Sequence, residues 1–202
     1  MKLKTIVSFV MLVGVCGWST GRLVAEPPTA KPQPVTAQVG TVPEIAGYTK
    51  WKVVNEKAFR LPGYIATLCS APSTAATSVK TPAQIGESEE HIELTDRFIR
   101  VFVNKKGKAA MFAMTPHFPV GSVVVKEKLP DEKSRKPELL TVMIKREAGY
   151  DAKNGDWEYL VADGNGRKAY SRGKLAHCQS CHVEQRQTDY IFRRYLPDGA
   201  LH

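Results

Sequence analysis

The sequence predicts a mainly β protein of the α+β class, with about five strands, a few short helices and a longer helix after the last strand. Stretches rich in valine, isoleucine and aromatic residues recur along the chain, separated by turns rich in glycine, proline, asparagine and aspartate. A helical stretch at 171–184 follows the last of them. No internal repeat divides the 202 residues, which fit one globular domain with an appendage.

The appendage is N-terminal. Residues 1–25 have the parts of an export signal: a lysine-containing start, an apolar run at 6–18 and a short exit sequence ending in alanine. This pattern predicts a periplasmic or otherwise exported bacterial protein, and an uncleaved membrane anchor is the alternative. Five prolines within 26–43 predict an extended linker, so the folded domain is placed at 44–202.

The strands are predicted at 51–55, 91–103, 122–128, 139–146 and 157–161. The third is among the clearest, because three consecutive valines follow the turn Phe118-Pro119-Val120-Gly121. Side chains alternate along a strand, so Lys126 shares one face with Val124, while Val125 points to the other face.

Helices and loops account for much of the remaining chain. Short helices are predicted at 44–48 and 108–114, and the helix at 171–184 comes last. Residues 70–88 are rich in serine, threonine, alanine, proline and glycine and predict a long loop. Residues 190–196 are predicted to close the domain as a strand or an extended segment.

Charge and cysteine content narrow the function classes. The formal charge is +9, but the lysines and arginines are dispersed and no basic patch is interleaved with aromatic residues, which argues against nucleic-acid binding. A basic surface facing an acidic redox partner protein is compatible with this charge. Cys16 leaves with the predicted signal and Cys69 stands alone, so no internal disulfide framework is predicted.

The strongest motif lies near the C-terminus. Cys178-Gln179-Ser180-Cys181-His182 has the Cys-X-X-Cys-His pattern of a c-type haem attachment site. A zinc site would need more Cys or His at ligand spacing, and a thioredoxin-like dithiol would lie early in a βαβ unit. The sequence therefore predicts one covalently bound haem c, with thioethers from Cys178 and Cys181 and with His182 as the iron ligand.

The opposite side of the iron has no obvious protein ligand. Twenty residues follow His182 and none is methionine, the second ligand of an ordinary electron-transfer cytochrome c. The upstream candidates are simpler as core or loop-edge residues: Met111, Met114, Met143, His91 and His117. A five-coordinate iron is therefore predicted, with one open position for a substrate or a gas.

Several stretches together carry a family resemblance. They are Pro43, Tyr48 and Trp51; Arg100-Val101-Phe102-Val103-Asn104; Phe118-Pro119-Val120-Gly121-Ser122-Val123-Val124-Val125-Lys126-Glu127; Trp157-Glu158-Tyr159; the Cys-X-X-Cys-His site; Asp189-Tyr190-Ile191-Phe192; and Tyr195-Leu196-Pro197. In this order and spacing the sequence resembles the cytochrome P-460 family, which includes the cytochromes c′-β.

The resemblance implies a mainly antiparallel sheet, a homodimer and a haem on a C-terminal helix. In P-460 members a lysine is bonded to a meso carbon of the haem, and the iron oxidises hydroxylamine. The matching residue is Lys126, for which a surface position in Lys126-Glu127-Lys128 is the alternative. The resemblance thus implies a hydroxylamine-oxidising enzyme. The alternative is a cytochrome c′-β-like protein that binds or detoxifies nitric oxide without turnover.

Two sets of further pocket residues come from the same reasoning. Phe102, Phe112 and Phe118 are candidates to cap the open side of the iron, although each also fits an ordinary core. A carboxylate that moves protons is sought among Glu127, Glu184 and Asp189, and the sequence does not choose between them.

Overall fold

A computed structural model describes residues 42–68 and 95–202 of the protein. Several predictions lie outside these residues: the export signal, most of the 26–43 linker, the 70–88 loop, Cys16, Cys69 and His91. Within them, no helix has the length and apolar composition needed to cross a membrane.

The described residues form one antiparallel sheet of seven strands, which confirms the predicted fold class. The strands are β1 Lys52–Val53, β2 Phe59–Leu61, β3 Arg97–Val103, β4 Val123–Leu129, β5 Leu139–Lys145, β6 Trp157–Asp163 and β7 Ala169–Gly173. Their spatial order is β1-β3-β4-β5-β6-β7, and β2 pairs with β3 beside β1. All neighbours along the main path except β1 and β3 are consecutive in the chain, so short turns connect most of the sheet.

The helices in this part of the chain are short. The α-helices are α1 Gly63–Leu68, α2 Lys108–Phe112 and α3 Ala176–His182. Single turns of 3-10 helix occur at Pro43–Ile45, Tyr48–Lys50 and Ala152–Asn154, and a longer one at Val183–Thr188 continues α3. The structure thus has two 3-10 turns where one helix was predicted at 44–48.

The predicted start of the last helix is wrong. Ser171 lies in β7 and pairs with Val161, and α3 begins only at Ala176. Gly173 ends the strand with φ +125°, a conformation that glycine adopts without a Cβ clash, and the chain then turns into α3. The prediction failed because β7 is a partly buried edge strand without a valine or isoleucine run.

The segment 190–196 is also not a strand. Asp189 and Tyr190 both have positive φ, and the chain after them runs through irregular structure and a turn. Sequence reasoning missed β2 and α1, which are only three and six residues long. The strand predicted from residue 91 is observed from Arg97.

The sheet buries both faces, and β4 shows how the two differ. Val124 packs in a cluster with Val101, Met143 and Tyr159 on the side where α3 lies, called here the α3 face. Val125 packs on the other side with Tyr48 and Phe102 among others, called here the Tyr48 face. Alternation therefore places Lys126 on the α3 face and Glu127 on the Tyr48 face.

Candidate haem-binding site

Helix α3 presents the Cys-X-X-Cys-His residues. Cys178 and Cys181 are three residues apart, which is nearly one turn, so their side chains lie on the same side of the helix. The two sulfurs are thiols rather than halves of a disulfide, and Cys178 packs against the α3-face core. Gln179 holds the helix in place by donating to Oδ2 of Asp151 at 2.6 Å.

The hydrogen bond of His182 determines which ring nitrogen can bind a metal. Its Nδ1 lies 2.7 Å from the carbonyl oxygen of Tyr190. A carbonyl only accepts, so Nδ1 carries the hydrogen and Nε2 keeps its lone pair for a metal. Edge-on contacts with Tyr159 and Phe192, at centroid distances of 5.4 and 5.0 Å, fix the ring plane.

The surroundings of His182 favour the neutral imidazole. Burial lowers the pKa of His182 to about 4; the Tyr190 hydrogen bond opposes this shift and the positive charge of Lys126 adds to it. At neutral pH the ring is therefore uncharged, which is the form that ligates iron.

Lys126 lies on the same face of the sheet as His182. It is half-buried in β4, directly between Val101 of β3 and Thr141 of β5. The positive charge of Lys126 contributes to the lowered pKa of His182. The structure therefore places Lys126 half-buried on the α3 face and not on an outer surface.

The same face carries polar groups that no described residue satisfies. The hydroxyl oxygens of Tyr159 and Ser171 are buried and have no hydrogen-bond partner within residues 42–68 and 95–202. Burial also raises the pKa of Tyr159, so its hydroxyl keeps its proton. Buried hydroxyls normally have partners, and these two leave a place for a further polar group.

These features fit a haem. Two thiols and an imidazole with an available Nε2 lie on one helix, over a face that combines apolar surface with unsatisfied hydroxyls. Partly buried hydrophobic side chains surround this face: Phe59, Leu61, Phe112, Leu175, Val183, Tyr195 and Leu196.

A sequence model described as cytochrome P460 matches residues 45–193. The chain belongs to the cytochrome P460 family. No individual curated protein matches it. Membership makes the protein a haem cytochrome and confirms the resemblance read from the sequence.

In this cytochrome P460 family member the three candidate capping phenylalanines lie in different parts of the fold. Phe102 is on the Tyr48 face, packed edge-on against Tyr48, so it cannot cap the haem side. Phe118 is fully buried beneath Trp157 and serves as core. Phe112 remains, because it is partly buried against the α3-face core.

The three candidate carboxylates also differ in position and in burial. Glu127 accepts a hydrogen bond from the Tyr48 hydroxyl on the Tyr48 face, so it is not a pocket acid of this cytochrome. Glu184 is exposed. The side chain of Asp189 is buried and paired with Lys145.

The alternative iron ligands are mostly accounted for. Met111 and Met143 are core residues, as predicted, but Met114 is 66% exposed and the core interpretation was wrong for it. His117 is exposed on the surface.

Sequence reasoning missed Tyr159, Ser171, Lys145 and the Tyr190 carbonyl. Lys145 had a usable signal, because it shares strand parity with Met143 and so lies on a buried face. The Tyr190 carbonyl had no sequence signal, because every residue has a backbone carbonyl.

Proposed function

We propose that this cytochrome is an exported enzyme that oxidises hydroxylamine at one covalently bound haem c, with His182 as the protein ligand of the iron. The observation that carries the proposal is the position of Lys126, half-buried in β4 on the same face of the sheet as His182. Membership of the cytochrome P460 family implies the haem cofactor. The position of Lys126 supports the lysine-modified branch of the resemblance over the unmodified one.

The attachment chemistry needs only the α3 residues. Each thiol, from Cys178 and Cys181, adds its sulfur and its hydrogen across a vinyl group of the haem, so a thioether forms without net oxidation. His182 would give Nε2 to the iron while the Tyr190 carbonyl accepts the hydrogen of Nδ1. The haem, held by these residues, would supply an iron able to accept electrons from hydroxylamine.

Lys126 would join the haem by a second kind of bond. Linking its Nζ to a meso carbon replaces one N–H and one C–H bond by one N–C bond. Two electrons and two protons therefore leave to an oxidant of the peroxide class. The half-buried strand position of Lys126 holds Nζ on one side of the site, which raises its effective concentration at a single ring position.

The net reaction needs an electron acceptor. Two molecules of hydroxylamine give one nitrous oxide, one water, four protons and four electrons, and the electrons go to a redox partner protein. The partly buried apolar residues of the α3 face limit the access of water to the site. The export signal, the periplasmic location and the homodimer belong to the same proposal and rest on residues 1–25 and on the resemblance.

The second candidate is a nitric-oxide-binding protein without turnover, similar to a cytochrome c′-β. Phe112 favours it, because a partly buried phenylalanine on the α3 face matches the phenylalanine-capped pocket of those proteins. The two functions differ in what Lys126 does, so one variant separates them.

The test compares Lys126→Ala with Lys128→Ala. Lys128 is the matched control because it is a lysine on the same strand and face, with its Nζ donating to the Ala66 carbonyl at 2.8 Å. We expect wild type and Lys128→Ala to share a red-shifted ferrous Soret band, an intact mass two hydrogens below chain plus haem, and hydroxylamine turnover with an electron acceptor. Lys126→Ala should retain haem, give an ordinary c-type spectrum and lose turnover.

An identical spectrum for wild type and Lys126→Ala contradicts the cross-link. Titration with nitric oxide then measures the second function directly. An iron with two protein ligands in the ferric wild type, seen by electron paramagnetic resonance, would contradict both functions.

A further inference from the structure

The residues that follow α3 have an unusual backbone. Asp189 has φ +50° and Tyr190 has φ +65°, so two consecutive residues with side chains are left-handed. Aspartate adopts this conformation fairly often, but a bulky residue such as tyrosine rarely does. Such backbone persists only where the surrounding contacts fix it, and it concentrates at functional sites.

Three parts of the fold converge on Asp189. Its carboxylate accepts from Lys145 Nζ, at 2.6 Å to Oδ1 and 2.8 Å to Oδ2, and from the backbone N–H of Phe118 at 2.7 Å. Its carbonyl oxygen accepts from the Trp157 indole at 2.9 Å. Lys145 also lies 4.9 Å from the centre of the Trp157 ring, and both members of the pair are about nine-tenths buried.

Tyr190 is held at three further points. Its N–H donates to the Gln185 carbonyl at 2.7 Å, and its hydroxyl donates to the Lys153 carbonyl at 3.1 Å. Its ring occupies the space above Gly155, where a Cβ would lie 2.3 Å from a ring carbon. The carbonyl of this over-constrained residue is the one that accepts from Nδ1 of His182.

We propose that the buried Asp189–Lys145 pair is a positioning device that holds the Tyr190 carbonyl against His182 and so sets how strongly His182 donates to iron. It deepens the proposed function, and it rests on the bond between His182 and iron. Acceptance of the Nδ1 hydrogen gives the imidazole more imidazolate character, which makes Nε2 a stronger donor. A stronger donor stabilises ferric iron, so Asp189 and Lys145 would lower the reduction potential by acting through His182.

Two other parts of the structure support this role over a purely structural one. An ion pair that only stabilised the sheet would not require left-handed backbone at the residue bonded to His182. Lys145 on β5 donates to the Asp189 carboxylate, and Trp157 on β6 donates to the Asp189 carbonyl. Two interior strands of the sheet therefore fix the position of the loop that contains Asp189.

The experiment measures the iron–histidine stretching band of the ferrous protein by resonance Raman, together with the reduction potential. Asp189→Ala removes the carboxylate and puts a less tolerant residue at positive φ, so the band should shift to lower frequency and the potential should rise. Asp189→Asn keeps the acceptor for the Phe118 N–H and tolerates positive φ, so its shifts should be in the same direction and smaller. Lys145→Met should shift both in the same direction, and its effect should not add to that of Asp189→Asn.

Glu127→Gln is the matched control, because it removes a buried, ion-paired carboxylate from the Tyr48 face. Its band and potential should equal those of wild type. If Asp189→Ala does not fold, Asp189→Asn and Lys145→Met decide the outcome. Wild-type values in folded, haem-loaded Asp189→Asn and Lys145→Met overturn the positioning role and leave the proposed function standing. The absence of an iron–histidine band in the wild-type protein would contradict the proposed ligation of iron by His182, and it would contradict the positioning role as well.

Discussion

Two buried ion pairs lie on opposite faces of the sheet and are built differently. On the α3 face, Lys145 and Asp189 are in close contact, and the carboxylate also accepts a backbone N–H. On the Tyr48 face, Arg100 and Glu127 are 3.7 Å apart, and an oxygen of Glu127 and the Nε of Arg100 have no hydrogen-bond partner among the described residues. The loose pair lines a surface cavity of about 480 Å3, whereas the tight pair adjoins Tyr190, whose carbonyl lies 2.7 Å from Nδ1 of His182.

The difference in geometry between the two ion pairs indicates which groups the fold keeps in a fixed position. A buried ion pair is costly to desolvate and contributes little stability by itself, so tight geometry indicates that a position is being specified. The Asp189 pair specifies the backbone of Tyr190. The Glu127 pair adjoins a cavity that can admit water, which satisfies polar atoms without fixing them.

The largest effect should come from the attachment residues. In the double variant Cys178→Ser, Cys181→Ser no thioether can form, so haem should be lost completely under denaturing electrophoresis, while wild type keeps it. Haem staining of the gel is the measurement. The double variant Arg100→Met, Glu127→Gln on the Tyr48 face is the control and should stain like wild type. Staining that persists in the cysteine variant would contradict covalent attachment.

The next effect concerns the stability of the two ion pairs. Lys145→Met leaves the Asp189 carboxylate buried without its cation, and we expect the free energy of unfolding to fall by about 3–5 kcal/mol. Arg100→Met should cost about 1–3 kcal/mol, because Glu127 keeps the Tyr48 hydrogen bond and can take up a proton. Denaturant unfolding of both variants tests this order. Equal decreases in the free energy of unfolding would show that the tight geometry around Asp189 does not make its ion pair more important for stability.

The smallest effect is the pH dependence of Glu127. Burial raises its pKa above the ordinary 4.5, although the Tyr48 hydrogen bond and Arg100 oppose the shift. The folded protein therefore binds this proton more tightly than the unfolded chain, and the free energy of unfolding should fall as pH rises from about 4.5 through the raised pKa. Glu127→Gln should lack this component. Unfolding curves of the two proteins that stay parallel across this pH range would contradict the raised pKa.

The sequence predicted the parts of the site that need a particular side chain in a particular pattern. Cysteine and histidine at fixed spacing identified Cys178, Cys181 and His182, and strand alternation placed Lys126 on the face of Val124. The central strands β4 and β5 were found within one residue of their ends, because a β-rich run between turn residues is a local signal.

The remaining features depend on contacts distant in the chain. Asp189 meets Lys145 across 44 residues, and the Tyr190 carbonyl is chosen by backbone geometry that no side-chain pattern encodes. The last three residues of β7 were assigned to the helix because Ser171 and Arg172 carry no strong strand preference, and pairing with β6 decides their conformation.

The alternation of Lys126 and Glu127 makes the site sensitive to the register of one strand. A slip of β4 by one residue against β3 and β5 would move Glu127 to the α3 face and Lys126 to the Tyr48 face, so the face that carries His182 would gain an anion in place of a cation. Two contacts at the turn before β4 oppose such a slip: Asn104 donates to the Gly121 carbonyl, and the Gly121 N–H donates to the Lys145 carbonyl. An insertion or deletion in this turn would therefore act as a charge reversal beside His182, although it would lie outside every residue of the site.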